Sequence, residues 1–254
     1  MLLFLDTIPY ITIFIFGITI GSFLNVCIYR LPLGESIVTA PSHCMTCGRK
    51  LRWYDMVPVF SWLMLGGKCR NCKSKISVQY PIIEGVNGIL YVVIFAVNGL
   101  VWSSVIYCLM ASALLVLSVI DWRTYEIPFG INVFLFVLGV VMAVLDRGNL
   151  VEHLIGMVCV SGALEVLYLV SGGGAIGGGD IKLMFACGLL LGWKLILLAF
   201  FLGCIIGSVV HIVRMVTKKA GRVLAMGPYL SAGILLAALW GNAWINWYLS
   251  LLGM

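Results

Sequence analysis

The sequence predicts an all-α, multi-pass membrane protein with about eight transmembrane helices. Hydrophobic residues make up 62% of its 254 residues, charged residues make up only 10%, and the mean hydropathy is +1.12. A soluble domain carries about 25% charged residues, so this composition excludes an ordinary soluble protein. Several apolar runs also approach the ~20 residues that a helix needs to cross a bilayer. We expect the first run to be a retained span rather than a removable signal peptide.

Eight apolar runs are the candidate crossings. In chain order they cover residues 8–29, 81–98, 100–120, 129–145, 151–170, 181–193, 194–216 and 228–251. The run at 181–193 is short for a full crossing, so we expect it to tilt little, to thin the bilayer locally or to be partly re-entrant. In the first run, Gly17, Gly21 and Ser22 are spaced for close contact with another helix.

A small, basic, soluble lobe is predicted at residues 30–80, between the first and second spans. The chain then divides into a first transmembrane helix at 1–29, this lobe, and a transmembrane core at 81–254. The lobe contains only two acids, Glu35 and Asp55. Its eight basic residues are Arg30, Arg49, Lys50, Arg52, Lys68, Arg70, Lys73 and Lys75.

The distribution of basic residues predicts which ends of the spans face the cytoplasm. If the lobe is cytoplasmic and eight spans alternate, only Arg147 and Lys194 lie outside. The lobe is then joined on the cytoplasmic side by Arg123, Lys182, Arg214, Lys218, Lys219 and Arg222. Fourteen basic residues against two is the asymmetry that the positive-inside rule expects. The net charge of +6 is therefore explained by topology and membrane lipid, and we expect no nucleic-acid partner.

Four of the nine cysteines form two CxxC pairs in the lobe. Cys44 and Cys47 are separated from Cys69 and Cys72 by 21 residues. Four thiolates can surround one Zn²⁺ tetrahedrally, and a site closed by four sulfurs is structural rather than catalytic. His43 is an alternative ligand beside the first pair. A disulfide is the weaker interpretation, because the lobe is expected in a reducing compartment.

Two aspartates at the ends of apolar runs are the candidate catalytic pair. Asp121 ends the run at 100–120, and Asp180 follows the glycines of SGGGAIGGGD. An acid at the edge of hydrocarbon is costly, so it indicates function. The predicted topology places both acids at cytoplasmic ends of spans. Two neighbouring carboxyl groups titrate as a unit, so one can take a proton from water while the other donates to a scissile carbonyl.

The glycines before Asp180 are expected to form a substrate loop. Gly177, Gly178 and Gly179 lack Cβ atoms and would let an extended peptide lie close to the two acids. Lys182 would ease ionisation, bind an anionic group or mark the cytoplasmic side. The competing interpretation of Asp180 is an interfacial charge near a helix N-terminus.

Other titratable residues remain open candidates. Glu84 and Glu165 lie within predicted spans and are candidates for lining a polar cavity near the pair. Glu126 and Arg123 could support Asp121 by position. His153 is expected to have an ordinary packing role.

Taken together, these motifs resemble those of the type 4 prepilin leader peptidases, intramembrane aspartic peptidases with a GxGD motif. The residues at 177–180 fit that motif, and Asp121 with the later Ile127-Pro128 resembles the site of the family's first aspartate. GSFLNVCIYRLP resembles the family's N-terminal signature, and the two cysteine segments resemble its cysteine lobe. AMGPYLSAG at 225–233 resembles a C-terminal FGP-type segment in which Met226 replaces the aromatic residue.

The resemblance implies an activity, a location and partners. The family removes a short basic leader from type IV prepilin or pseudopilin precursors, after a glycine and on the cytoplasmic side of the bacterial inner membrane. Members with a complete cysteine lobe also methylate the new N-terminal amine with S-adenosylmethionine. The sequence has no glycine-rich strand–helix turn of the Rossmann kind, so no residue is assigned to the methyl donor.

Two other classes of function remain possible for these residues. A transporter could relay protons through paired acids beside a broken, glycine-rich helix. A zinc-stabilised membrane adaptor would need the four cysteines and would tolerate loss of both aspartates.

Overall fold

The structure, a computed structural model, describes residues 2–39, 41–174, 176–217 and 224–253, with side chains from residue 7 onward. Lys218, Lys219 and Arg222, which the topology prediction used, lie outside these residues. Within the described residues the chain is helical and contains no β-strand, which confirms the all-α class. The described residues form nine α-helices, which are α1 Leu2–Arg30, α2 Phe60–Met64, α3 Gln79–Asn98, α4 Trp102–Thr124, α5 Phe129–Leu145, α6 Leu150–Val170, α7 Gly178–Leu191, α8 Trp193–Val216 and α9 Gly227–Leu251.

Six segments in the described residues are long and apolar enough to cross a membrane, so the chain is a multi-pass membrane protein. They are Thr7–Leu33, Gln79–Asn98, Trp102–Thr124, Arg147–Val170, Trp193–Val216 and Gly227–Leu251. The two other predicted crossings correspond to α5, with 17 residues, and α7, with 14 residues. At 1.5 Å per residue α7 is about 21 Å long, which is less than the roughly 30 Å of a hydrocarbon core. The predicted total of eight crossings stays a prediction.

The short helix α7 ends at a specific backbone break. Gly192 has φ +80°, a region that other residues rarely adopt, and it separates α7 from α8. Along α7 itself, Leu183, Met184 and Cys187 are fully buried. A helix that buries apolar residues along most of its length belongs in a protein interior. α7 is accordingly the central helix of its unit and fixes the position of its first turn.

The chain forms two compact units, and the first comprises Met1–Ser104. Here α1 packs directly on α3, as the small residues of the first span predicted. A Cβ atom on Gly21 would lie 2.7 Å from Glu84 Cα, so only glycine permits this approach. The amide of Asn87 in α3 donates a 2.8 Å hydrogen bond to the carbonyl of Gly17. Close packing and a buried polar contact thus hold the two helices together.

The second unit comprises Val105–Met254. In it α5 and α6 pack on α7, and α8 packs on α9. The C-terminal end of α4 and the N-terminal ends of α5, α7 and α9 contribute to the candidate site. These four helix ends provide its framework.

Candidate active site and metal centre

Asp121 lies in the last turn of α4 and is only 5% exposed. Its Oδ2 accepts a 2.8 Å hydrogen bond from the backbone N–H of Gly227, the first residue of α9. The first N–H groups of a helix have no partner within that helix, so they are available to a carboxylate. A Cβ atom at residue 227 would lie 2.7 Å from Oδ2, and this close approach therefore requires glycine.

Asp180 lies in the first turn of α7, outside the six candidate spans. Gly177 precedes the helix with extended backbone, and a Cβ atom there would lie 3.1 Å from Oδ2 of Asp180. Burial of the carboxyl group, and secondarily the neighbouring Asp121 carboxylate, raise the pKa of Asp180 from 3.8 to about 7. Asp180 therefore carries a proton for a substantial part of the time at neutral pH.

The two aspartates line one open cavity of about 310 Å³. The other lining residues are Tyr125, Glu126, Ile127, Phe129, Asn132, Gly177, Gly178, Gly179 and Lys182. All four residues predicted for the substrate loop are thus in its wall. The structure therefore brings together Asp121 and Asp180, which are fifty-nine positions apart in the sequence and belong to two separate motifs.

A turn with a left-handed residue connects Asp121 to the next residues of the cavity wall. Tyr125 has φ +56°, and its N–H donates a 2.9 Å hydrogen bond to the carbonyl of Asp121. This left-handed residue follows the end of α4 and leads to Ile127 and Pro128, which immediately precedes α5. A Cβ atom on Gly179 would lie 3.0 Å from Ile127, so this turn packs closely on the start of α7.

Lys182 and Asn132 supply further polar groups to the cavity wall. Lys182 Nζ lies 5.5 Å from the centre of the Phe129 ring, within the range of a cation–π contact. Asn132, in α5, is 4% exposed, and neither Nδ2 nor Oδ1 of its amide has a hydrogen-bond partner among the described residues. The sequence prediction included Lys182 but missed both Asn132 and Gly227. The signal for Gly227 was the Gly-Pro pair that begins an apolar run.

Of the other candidate acids, Glu84 and Glu165 are not among the residues that line this cavity. Glu84 belongs to the first unit, where its Oε2 accepts a 2.7 Å hydrogen bond from the N–H of Val59. Glu165 is exposed on α6. Glu126 does line the cavity, whereas Arg123 is exposed and is not among its lining residues. His153 is buried, and its Nδ1 lies 2.8 Å from the carbonyl oxygen of Leu189, which agrees with a packing role.

The four cysteines of the lobe form a cluster suited to one metal ion. The Sγ atoms of Cys44, Cys47, Cys69 and Cys72 all lie within 4.8 Å of one another, and those of Cys44 and Cys72 are 3.8 Å apart. A tetrahedral ion with Zn–S bonds of about 2.3 Å requires sulfurs about 3.8 Å apart. The donor set and its spacing therefore fit Zn²⁺. His43 is outside the cluster, and its Nδ1 lies 3.2 Å from the carbonyl oxygen of Pro41.

A tight turn prepares the first cysteine pair, Cys44 and Cys47, for metal binding. Gly48 has φ +68°, and its N–H donates a 2.9 Å hydrogen bond to the carbonyl of Cys44. Hydrogen bonds from the backbone of Cys47 and Thr46 lower the pKa of the Cys44 thiol to about 6. The thiolate is the form that binds a metal, so the folded backbone favours the ligating state.

Comparison with known proteins identifies relatives across most of the chain. A family model described as the type IV leader peptidase family matches residues 108–212, and one described as the bacterial peptidase A24 N-terminal domain matches residues 15–98. Three relatives each bear the name prepilin leader peptidase/N-methyltransferase. The Bacillus subtilis protein is 31% identical over 245 residues, which cover 94% of this chain and 97% of the relative.

The other two relatives are similarly distant. The Myxococcus xanthus protein is 33% identical over 82% of this chain and 64% of its own length. The Pseudomonas aeruginosa protein is 29% identical over 93% of this chain and 92% of its own length. No solved structure matches the chain.

Proposed function

We propose that this chain, which belongs to the type IV leader peptidase family, is an aspartic endopeptidase that removes the short basic leader from type IV pilin-like precursors. We further propose that it methylates the new N-terminal amine with S-adenosylmethionine. The observation that carries the proposal is that Asp121 and Asp180 line the same cavity. The names of the relatives support the substrate class and the second activity.

In the proposed mechanism the two carboxyl groups have different protonation states. The N–H of Gly227 donates to Asp121, and a hydrogen bond to a carboxylate favours its ionised form. Asp180, with a pKa of about 7, is the protonated member. Asp121 takes a proton from water as the water oxygen attacks the scissile carbonyl carbon. Asp180 gives its proton to the carbonyl oxygen, which yields a neutral tetrahedral intermediate.

Collapse of this intermediate completes the hydrolysis. Asp180 takes back the proton from a hydroxyl group of the intermediate, and the carbonyl reforms as the C–N bond breaks. Asp121 gives the proton it received from water to the departing nitrogen. Both carboxyl groups then return to their starting states, and no covalent intermediate is needed.

The shape of the cavity suits an extended peptide. A helical substrate must unwind locally before its peptide bond is accessible to water. The glycines at 177–179 keep one wall free of side chains, so the substrate backbone could lie close to Asp180. The cavity is open, which gives both water and peptide a route to the carboxyl groups.

The proposed location is the bacterial inner membrane, with the active site on the cytoplasmic side. The excess of basic residues in the lobe and near Asp121 and Asp180 supports this orientation through the positive-inside rule. The proposal takes residues 129–145, in α5, and residues 181–193, which begin just after Asp180, as the two additional crossings, for a total of eight. A pilin precursor has an apolar helix and a basic head that stays in the cytoplasm. The junction between them would therefore lie at the same membrane depth as Asp121 and Asp180.

The proposed role of the zinc ion is structural. Cys44, Cys47, Cys69 and Cys72 would hold it and would leave no position for water or substrate. When bound, the ion would supply cross-links that a lobe of this size needs for stability.

One incubation tests the proposal. The purified full chain is mixed in lipid vesicles with a prepilin precursor and isotopically labelled S-adenosylmethionine, and the products are analysed by mass spectrometry. We expect a product that begins after the leader and carries one labelled methyl group. A precursor that stays intact would contradict the proposed peptidase activity. Cleavage without methylation would contradict only the second activity, and proton-coupled uptake without cleavage would favour a transporter.

A further inference from the structure

The amide of Asn132 is the exceptional polar group in the wall of the cavity. Asn132 is 4% exposed, yet within the part of the chain that the structure describes neither Nδ2 nor Oδ1 has a hydrogen-bond partner. The great majority of buried polar side-chain atoms in proteins are hydrogen-bonded, and an unpaired one is destabilising. Both atoms of one buried amide are unpaired here, in a residue that also lines the cavity with Asp121 and Asp180.

Other buried asparagines of the chain behave differently. Asn87 donates to the carbonyl of Gly17 at 2.8 Å, and Asn25 donates to the carbonyl of Tyr80 at 3.2 Å. Their amides connect neighbouring parts of the first unit. Asn132 makes no such contact, so its amide is not explained by folding alone.

A peptide backbone offers the hydrogen-bond donor and acceptor that could pair with this amide. Each peptide unit offers one N–H donor and one C=O acceptor, and an asparagine amide offers one acceptor and two donors. A substrate helix that unwinds at membrane depth frees such backbone groups, and each needs a partner when water is scarce. Asp121 and Asp180 are occupied with the reaction itself, whereas Asn132 can pair with a neighbouring peptide unit.

We propose that Asn132 is a substrate-positioning residue whose amide hydrogen-bonds the backbone of the extended peptide beside the scissile bond. The ligand class is an unwound peptide segment of any sequence, because backbone groups alone are bound. This inference rests on the proposed peptidase function and adds to it the residue that holds the substrate extended.

The test uses Asn132→Leu, which has a similar shape and no hydrogen-bonding groups. We expect kcat/KM for precursor cleavage to fall roughly 10- to 100-fold, mainly through a higher KM, as two hydrogen bonds to bound substrate are lost. We expect the melting temperature to stay equal or rise, because an unpaired buried amide is removed. Asn132→Gln keeps the hydrogen-bond donor and the acceptor of the amide, so it should retain more activity than Asn132→Leu.

A modified substrate provides a second measurement. Replacing one peptide bond beside the scissile bond by an ester removes an N–H donor and weakens a carbonyl acceptor. The ester should slow cleavage by the wild type roughly 3- to 10-fold at one flanking position. At that position Asn132→Leu should cleave the ester and amide precursors at equal rates, because the contact is already lost.

Asn87→Leu is the matched control in the first unit. It removes a buried amide that is hydrogen-bonded within the protein, so it should lower the melting temperature and leave KM unchanged. A wild-type KM for Asn132→Leu, or a fall in its melting temperature like that of Asn87→Leu, would overturn the inference while leaving the peptidase intact. A wild type that fails to cleave the precursor would overturn both.

Discussion

The backbone N–H of Gly227 and the Oδ2 atom of Asp121 are 2.8 Å apart, although the two residues are separated by 106 positions in the chain. This hydrogen bond joins the end of α4 to the start of α9. It satisfies a helix N-terminal donor, and it stabilises the ionised form of the carboxyl group that we propose as the base.

Gly227→Ala is expected to disrupt this contact. The added methyl group would lie 2.7 Å from Oδ2 of Asp121 and 2.9 Å from Cδ2 of Leu117, so one of them must move. We expect a loss of about 1–3 kcal/mol in stability, as for other overpacked sites. Cleavage should fall at least about tenfold, because the base is displaced. Thermal unfolding and the cleavage rate are the two measurements.

Gly85→Ala is the control for this substitution. Residue 85 lies within α3, and a Cβ atom there meets open space. Alanine is also the better helix former, so stability and cleavage should stay near wild type. Equal behaviour of the two alanine variants would show that the contact between Gly227 and Asp121 is unimportant.

The pKa of Asp180 predicts how stability depends on pH. The native carboxyl group has a pKa of about 7, against 3.8 for the unperturbed group. Between about pH 4 and pH 7 the native state therefore keeps a proton that the unfolded state has lost, so the free energy of unfolding decreases as pH rises. Relative to Asp180→Asn, the wild-type melting temperature should fall by roughly a few degrees across this window and stay level above it. A difference that does not change with pH would contradict the raised pKa.

The same pKa predicts a pH dependence of catalysis. Only the protonated form of Asp180 can donate to the scissile carbonyl, so kcat/KM, which reports the pKa values of the free enzyme, should decline as pH rises through about 7. The measurement is a pH profile of kcat/KM for precursor cleavage. A rate that increases through this range would assign the protonated role to another group.

Loss of one cysteine ligand is expected to remove the metal from the lobe. Cys69 is buried within the cluster, so Cys69→Ser should reduce bound zinc from about one ion per chain to a small fraction. The lobe should also become sensitive to protease, because metal binding stabilises its fold. Zinc content by elemental analysis and limited proteolysis are the measurements. Cys204→Ser, which changes a cysteine of α8 outside the cluster, should retain the metal.

Glu84 is predicted to attach the lobe to α3 through a strained residue. Val59 has φ +60°, an unusual value for a β-branched side chain, and its N–H donates to Oε2 of Glu84 at 2.7 Å. Glu84→Leu should release this backbone and speed proteolysis near residue 59 several-fold. Glu84→Gln keeps an oxygen acceptor, so the added protease should cut this variant near residue 59 at close to the wild-type rate. Equal proteolysis of both variants would contradict this role.

The parts of the site that the sequence predicted are those whose chemistry is visible locally. Asp180 follows a glycine run, and Cys44 and Cys69 each begin a CxxC pair. Such patterns are informative because an acid beside hydrocarbon, or four thiols in a short lobe, would be costly without a role.

The parts that were missed depend on distant packing. Gly227 acts through its backbone, which the side-chain pattern does not reveal, and its partner is far away in the sequence. Asn132 lies in an apolar run where an ordinary helix contact is the usual expectation, and only the absence of a partner distinguishes it. The short length of α7 was not missed, because hydropathy already separated a short run at 181–193 from the run at 194–216, and the break at Gly192 is its structural cause.

The central claim is that Asp121 and Asp180 act as one catalytic pair. Its most direct test is the precursor cleavage rate of the wild type, Asp121→Asn, Asp180→Asn and the double variant, with folding of each checked by thermal unfolding. We expect the cleavage rate of each single variant to fall at least about 1,000-fold. The rate of the double variant should fall no further, because the effects of residues that act as a unit are not additive. Precursor cleavage at the wild-type rate by either single variant would contradict the account.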